Sequence, residues 1–114
     1  MTNSQDSLDK IFHALAHPTR REVVERLSAR PATMTELAEP FELAMPSFLQ
    51  HMRVLEAAGL VKSQKQGRSR TYELDPPAFF LADNWLDIQR SQWNQRLDQL
   101  DALLTELHPE KPHE

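Results

Sequence analysis

The chain contains no cysteine, which excludes disulfides, thiolate zinc sites, iron–sulfur clusters and cysteine nucleophiles. Glycine is also scarce, with two in 114 residues, and neither lies in a glycine-rich phosphate-binding loop. No apolar run approaches the roughly 18 residues that a membrane-spanning helix requires. Residues 1–6 lack the basic and then apolar pattern of a secretory signal. We therefore expect a cytoplasmic protein with no membrane association and no cofactor.

Acidic residues outnumber basic ones, 17 to 13, and the net charge is −4. The excess is unevenly distributed along the chain. Residues 46–72 contain five bases and a single acid, Glu56, whereas the remaining residues contain eight bases and sixteen acids. A basic patch on an acidic body favours one docking face for a polyanion, but five scattered bases can also be ordinary protein surface. Composition alone leaves both interpretations open.

Four helices are predicted in the first half of the chain, because apolar residues recur there at helical spacing. The first covers residues 5–16. The second begins at Pro18, since proline suits the first turn of a helix and disfavours helical geometry at the residue before it. A short third helix follows a capping threonine, Thr33 or Thr35. The fourth covers residues 46–58.

The fourth helix is followed by a change of period that indicates a β-hairpin. Phe48, Met52 and Leu55 are spaced i, i+4 and i+7, so they form one buried helix face. Alternating residues on both sides of Gly67 then predict two short strands over residues 60–74. Two helices joined by a tight turn and followed by such a hairpin form a winged helix-turn-helix, here over residues 33–58 with the hairpin as the wing.

A long last helix is predicted over residues 83–107, because its apolar residues follow the 4, 3, 4 spacing of a heptad seam. It is longer than a small domain needs, so we expect it to form a dimer together with the first helix. The predicted interface residues are Leu8, Ile11, Phe12, Trp93, Leu97, Leu100 and Leu104. The alternative is an intramolecular core, to which Trp85 and residues 79–80 are expected to contribute in part. The predicted fold is mainly α, one domain over residues 1–114, in the order α-α-α-α-β-β-α.

The fourth helix has the composition of a DNA recognition helix, because one face is apolar and the other is polar and free of acids. Its predicted groove-facing residues are Pro46, Ser47, Gln50, His51 and Arg53, with Ser47 and Gln50 nearest to the base edges. The wing residues predicted to clamp phosphates or enter the minor groove are Lys65, Arg68, Ser69 and Arg70. Thr19 and Arg20, in the second helix, are predicted to contact the DNA backbone. An amphipathic core helix with a solvated face is the simpler alternative for the fourth helix alone.

Three consecutive segments resemble the ArsR family of bacterial transcriptional regulators: "HALAHPTRREVVERL", "MTELAEPFELAMPSFLQHMRVLEAAGLV" and "KSQKQGRSRTYEL". The similarity runs from about Ile11 to Leu74. Its most specific parts include Pro18-Thr19-Arg20-Arg21 and the Gly67-Arg68 turn of the wing. The resemblance implies a homodimer that binds a palindromic operator in double-stranded DNA, mostly as a repressor.

The chain departs from the family pattern in ways that bear on DNA sequence and metal sensing. Family members often carry Ser-Gln at the positions of Ala44 and Met45, and serine at Leu49, so their operators are not transferable. Thiol sensors of the family have paired cysteines in the helix matching residues 33–39, and zinc sensors have histidines in the last helix. This chain has no cysteine there and no histidine in the last helix before His108. The resemblance therefore implies a metal-independent branch without a metal site.

Other functions stay open at this point. A protein-interaction module that uses the last helix would explain the heptad seam but not the bases on the hairpin. A metal-responsive repressor would use histidines such as His13 and His17, which are four residues apart. No catalytic motif converges on an enzyme. The effector is unknown: an apolar ligand near Phe79, Trp85 and Trp93 and repression without a ligand are equally compatible with the sequence.

Overall fold

The computed structural model describes residues 4–107, which form five helices and one small antiparallel sheet. The elements are α1 (Ser4–Leu15), α2 (Pro18–Ala29), β1 (Ala32–Thr33), α3 (Met34–Ala38), α4 (Met45–Ala57), β2 (Val61–Gln66), β3 (Ser69–Leu74) and α5 (Pro76–Leu107). This order confirms the predicted winged helix-turn-helix and adds the strand β1. None of the described helices is both long and apolar enough to cross a membrane.

The turn between α1 and α2 is shaped by His17 and Pro18. The backbone of His17 is extended, at φ −115° and ψ 131°, which is the geometry that a following proline favours. The His17 side chain then caps α2, because its Nδ1 accepts a hydrogen bond from the amide of Thr19 at 3.1 Å. His17 and Pro18 therefore separate α1 from α2 and begin α2.

Thr33 is the residue that caps α3. Its hydroxyl oxygen accepts from the amide of Glu36 at 3.2 Å, and the Glu36 carboxylate accepts from the amide of Thr33 at 2.9 Å. This reciprocal pair is a capping box, which fits a helix of only five residues. The hydrogen bond from the Thr33 amide also lowers the pKa of Glu36, since it favours the charged carboxylate.

The sheet has the strand order β1-β3-β2 and is antiparallel throughout. Ala32 pairs with Tyr72 and Thr33 with Thr71, so β1 joins the wing to the start of α3. A strand of two residues is too short to show a period, which is why the sequence pattern does not indicate it. Through this pairing the base of the wing is attached to the helix-turn-helix.

The core is one cluster to which all five helices and the wing contribute, and it confirms the predicted inner face of α4. Phe48, Met52 and Leu55 are completely buried in it. The other buried apolar residues are Ile11, Ala14, Val23, Leu27, Leu37, Leu60, Val61, Tyr72 and Ala82. Ile11 corrects a prediction: its side chain is 1% exposed, so it belongs to the core of the chain and has no surface left for a dimer interface.

The last helix, α5, begins at Pro76, seven residues before the predicted start. Pro76 and Pro77 are tolerated because the first turn of a helix leaves its amides without intrahelical partners. The boundary between two compact units of the chain falls inside α5, after Ala82. Within the first unit Phe79 packs against the core, but Phe80 is 69% exposed, so the prediction of a core position at Phe80 is wrong.

Candidate nucleic-acid interface

The face of α4 opposite the core is polar and free of acids. Pro46, Ser47, Gln50 and Arg53 are all exposed along it, as predicted from their positions relative to Phe48. The buried face has no surface left, whereas these four side chains are within reach of an external partner. Their face fits the requirement that the side of a helix approaching phosphates carry no carboxylate.

The N-terminus of α4 has no side-chain cap. Ala44 occupies the cap position with an extended backbone and accepts no hydrogen bond through its side chain, and the first turn contains no acid. The unpaired first-turn amides and the helix dipole make this end partly positive. By contrast, α2 and α3 are both capped by side chains. The open terminus of α4 is thus suited to an anion such as a phosphate group.

His51 lies on the flank of α4 that packs against α2. Its ring centroid is 4.3 Å from that of His17, and its Nδ1 is 2.9 Å from a terminal nitrogen of Arg20. Burial, followed by the charges of His17 and Arg20, lowers the pKa of His51 below its usual value. His51 therefore connects α2 and α4 through its Nδ1, and its role as a groove-facing donor stays a prediction.

Arg20 is 8% exposed, and its guanidinium group is used inside the fold. Its Nε donates to the carbonyl oxygen of Ala14 at 2.7 Å, and another nitrogen donates to that of His13 at 3.3 Å. These carbonyls end α1, where a cation is favoured by the helix dipole. The prediction that Arg20 contacts the DNA backbone is therefore wrong. Thr19, the other residue predicted there, is half-buried at the start of α2.

The tip of the wing is a two-residue turn formed by Gly67 and Arg68. Gly67 has φ +65°, whereas Arg68 does not enter the positive region, which is typical of a type II′ hairpin turn. A Cβ at Gly67 would meet nothing within 4 Å, so the backbone angle and not the available space favours glycine. Arg68 and Ser69 are exposed at this tip.

Two bases lie directly opposite each other on one face of the wing. Lys65 pairs with Arg70, and because side chains alternate along strands, both share the face of the buried Tyr72. Like charges at directly opposed positions are unfavourable for a strand pair. On the other face Lys62 forms an ion pair with Glu73 at 3.9 Å. The wing therefore has a neutralised outer face and an inner face with an excess of positive charge.

Arg70 also takes part in a hydrogen-bond chain that links the wing to α4. Its guanidinium donates to the hydroxyl oxygen of Ser63 at 2.8 Å, and this hydroxyl donates to the carboxylate of Glu56 at 3.0 Å. Glu56 is the single acid of residues 46–72, and its carboxylate is bonded within the fold. These three residues lie in α4, β2 and β3, so the periodicity of a single element does not relate them, and sequence reasoning did not find this series of hydrogen bonds.

Three of the predicted wing residues line a cleft of about 360 Å³ between α3, α4 and β3, whereas none of the residues predicted in α4 lines it. The wing contributes Arg68, Ser69 and Arg70 to it, and α4 contributes Met45 and Leu49. None of the residues that line this cleft is acidic. Sequence reasoning did not single out Met45 and Leu49 as contact residues, because it treated them only as departures from the family pattern.

The described residues contain no group of three or more histidine, aspartate or glutamate side chains that could hold a metal ion. His13 and His17, the pair considered from their spacing, differ in setting. His17 uses its Nδ1 to cap α2, and His13 is exposed on α1. His108 and His113 lie outside the described residues.

The apolar residues of the heptad seam on α5 are exposed in the single chain. Trp93, Leu97, Leu100 and Leu104 each keep about half of their surface accessible to solvent. The alternative of an intramolecular core at these four positions is therefore wrong. Among the interface residues predicted on α1, Leu8 is half-buried and Phe12 is exposed. A row of large exposed apolar residues on one helix is typical of a surface that another protein chain covers.

Two comparisons with known proteins agree with this geometry. A family model described as a helix-turn-helix domain matches residues 15–64. The crystal structure of the ArsR family transcriptional regulator RHA00566 matches with a TM-score of 0.76 at 45% sequence identity, over 82% of this chain and 97% of that one. The chain belongs to the ArsR family.

Curated relatives of this ArsR-family chain are also regulators. The HTH-type transcriptional regulator Rv2034 of Mycobacterium tuberculosis is 43% identical over 70 residues, which are 61% of this chain and 65% of that regulator. The transcriptional repressor SdpR of Bacillus subtilis is 27% identical over 79 residues, 69% of this chain and 88% of the repressor. This chain thus spans slightly less than two thirds of Rv2034 and most of SdpR. The relatives are regulators of transcription and not enzymes, and the predicted family is confirmed.

Proposed function

We propose that this ArsR-family chain is a homodimeric, cytoplasmic repressor that binds a palindromic operator in double-stranded DNA without sensing a metal. The observation that carries the proposal is the acid-free cleft in which the uncapped end of α4 meets the basic wing. The arrangement supports nucleic acid as the partner because an amphipathic core helix with a merely solvated face needs neither feature.

The exposed N-terminal half of α4 supports a role in reading bases. Ser47 and Gln50 are exposed there, and Gln can form paired hydrogen bonds with adenine. Arg53 follows one turn later and suits guanine or phosphate. The N-terminal part of a recognition helix reaches base edges in the major groove, so we assign base reading to Ser47 and Gln50.

The wing supplies affinity rather than sequence reading in this proposal. Arg68 is exposed at its tip, and the exposed Lys65 and Arg70 are directly opposed on its inner face. A DNA phosphate is an anion that such a group of bases attracts, and contacts to phosphates carry no base information. We therefore assign these three bases and the exposed Ser69 to the DNA backbone or the minor groove.

The exposed seam of α5 supports a dimer. Covering residues such as Leu97 and Leu100 with the same residues of a second copy would remove a continuous apolar surface from water. A two-fold dimer places two copies of α4 about 34 Å apart, one turn of DNA, which is the reason for a palindromic operator. Phe12 and Leu8 of α1 are the further residues assigned to this interface.

The absence of cysteine supports regulation without thiolate metal sensing, as does the missing cluster of metal ligands among the described residues. A metal-responsive repressor without cysteine would use histidines, and two of the described histidines are already engaged within the fold. The Nδ1 atoms of His17 and His51 already take part in hydrogen bonds to Thr19 and Arg20. The chain is therefore assigned to a metal-independent branch.

The test is a DNA-binding titration with the duplex that precedes the chain's own gene, with and without a chelator. We expect the chain to bind this duplex at low salt even when nonspecific competitor DNA is present. The affinity should not change when chelator is added. The matched control is the variant Lys65→Ala with Arg68→Ala. Both bases are exposed, so the variant should fold, and it should lose most of its affinity for DNA. Failure of the wild-type chain to bind any duplex at low salt would instead favour a protein-interaction module that uses α5.

A further inference from the structure

Two apolar side chains, Met45 and Leu49, form a pair on the flank of α4 that faces the wing. They are four residues apart, so they lie one above the other on the same side of the helix. Met45 is 49% exposed, and Leu49 is half-buried. Neither belongs to the core cluster or to the apolar residues that pack against it. The hydrophobic core of the chain therefore does not include either side chain.

The surroundings of this pair indicate the kind of partner. Met45 and Leu49 line the cleft together with Arg68, Ser69 and Arg70 of the wing, and no acid lines it. A purely apolar ligand would have no use for the two guanidinium groups. A polyanion that also carries an apolar group matches both the guanidinium groups and the two apolar side chains. Double-stranded DNA is such a partner, and here the inference rests on the proposed function.

The major groove offers one apolar group, the C5-methyl group of thymine. Cytosine has a hydrogen at the same position, and the phosphates and sugars alongside are polar or charged. A side chain that reads this methyl group needs no hydrogen-bonding atom, which suits methionine and leucine. Because both residues lie in the N-terminal half of α4, they are on the part of the helix closest to base edges.

We propose that Met45 and Leu49 read thymine methyl groups, and that they are specificity-determining residues of this chain. The operator half-site then carries T·A pairs at the positions that these two side chains reach. These apolar contacts with thymine complement the hydrogen bonds to bases that we assign to Gln50 on the adjacent exposed face of α4. It also assigns a use to Met45 and Leu49, at which the chain departs from the Gln and Ser of its family.

The test replaces thymine by uracil in the DNA, because this change removes the methyl group and leaves base pairing and phosphates intact. An operator is first selected from random duplexes with the wild-type chain, and each thymine is then replaced singly. We expect replacement at one or more half-site positions to weaken binding about fourfold, the factor for one buried methyl-sized group. The salt dependence of binding should stay unchanged, since no phosphate contact is lost.

A double-mutant comparison then assigns the methyl contact to the two residues. The variant Met45→Ser with Leu49→Ser should bind thymine and uracil operators equally. The matched control is Leu43→Ser, which alters an exposed apolar residue outside the cleft and should stay sensitive to uracil. Because Met45 and Leu49 lie outside the core, the double variant should fold, and its circular dichroism spectrum should match the wild type.

The outcomes separate this inference from the proposed function. If the chain binds its operator and no uracil replacement weakens binding, the methyl contact does not exist. If uracil weakens binding equally in the wild type and in the double serine variant, other residues read the methyl groups, and the assignment is wrong. If the chain binds no duplex at all, the proposed function fails first.

Discussion

The guanidinium group of Arg20 donates a hydrogen bond to Nδ1 of His51 across 2.9 Å and connects α2 to the proposed recognition helix α4. A guanidinium group has no acceptor, so Nδ1 of His51 must be the acceptor and the neutral ring carries its proton on Nε2. The same guanidinium donates to the carbonyl oxygens of Ala14 and His13. One buried side chain therefore joins α1, α2 and α4, and the orientation of the recognition helix depends on it.

Replacing Arg20 with alanine should lower the free energy of unfolding by about 2–4 kcal/mol, because buried acceptors lose a charged donor. Urea unfolding measures the change. The control is Arg21→Ala: Arg21 donates to the carbonyl of Leu15 at 2.8 Å from an exposed position, and its loss should cost less than about 1 kcal/mol. Equal effects of the two substitutions would contradict the role of Arg20 in connecting α1, α2 and α4.

The free energy of unfolding should fall as the pH is lowered, because His51 becomes protonated. Its pKa is lowered in the folded chain, so folding disfavours the protonated ring. The contribution is therefore fully present above the ordinary value of 6.5 and is lost as pH falls from there toward the lower folded-state pKa. His17 and Arg20 face this ring and add to the penalty for a second positive charge.

His51→Gln should remove this part of the pH dependence, since a glutamine oxygen can accept from Arg20 and does not titrate. The measurement is the free energy of unfolding in urea between about pH 5 and pH 7.5 for both chains. We expect the wild type to lose more stability than the variant on acidification. Parallel pH profiles would assign the dependence to other groups.

Arg68→Ala should weaken binding to all DNA sequences by a similar factor and reduce the slope of log affinity against log salt by about 0.9, as expected for one lost phosphate contact. Gln50→Ala should instead change which operator is preferred. The matched control is Lys62→Ala, because Lys62 is on the outer face of the wing and paired with Glu73. An unchanged salt slope for Arg68→Ala would show that the wing tip does not contact phosphate.

Leu97→Asp with Leu100→Asp should convert the proposed dimer to a monomer, because two charges would be buried at the seam. Analytical ultracentrifugation measures the oligomeric state. The control, Gln95→Asp with Ala102→Asp, puts the same charges on the opposite side of α5 and should stay dimeric. A dimer that persists in the seam variant would place the interface elsewhere.

The core face of α4 and the wing could be predicted from the sequence because both depend on short-range periodicity. Phe48, Met52 and Leu55 are spaced for one helix face, and all three are completely buried. The hairpin around Gly67 follows from alternation on both sides of a residue that tolerates positive φ. These features need only the geometry of one element and its neighbour in the chain.

The surroundings of Arg20 and His51 could not be predicted in the same way. The two residues are 31 positions apart, and both have side chains that suit a protein surface or a DNA contact. Ile11 was misassigned for a related reason, because periodicity identifies an apolar helix face but not the surface that covers it. Only packing distinguishes a core from an interface.

By itself the sequence determined the order of the elements apart from β1, the buried face of α4, the excess of bases in residues 46–72 and the family. These properties follow from periodicity, composition and local motifs. The tertiary structure decided which side chains are used within the fold and which meet at the surface: it buried Arg20, bonded it to His51 and brought Met45 and Leu49 beside Arg68. It could do so because contacts between distant segments depend on how the elements pack, which no local pattern encodes.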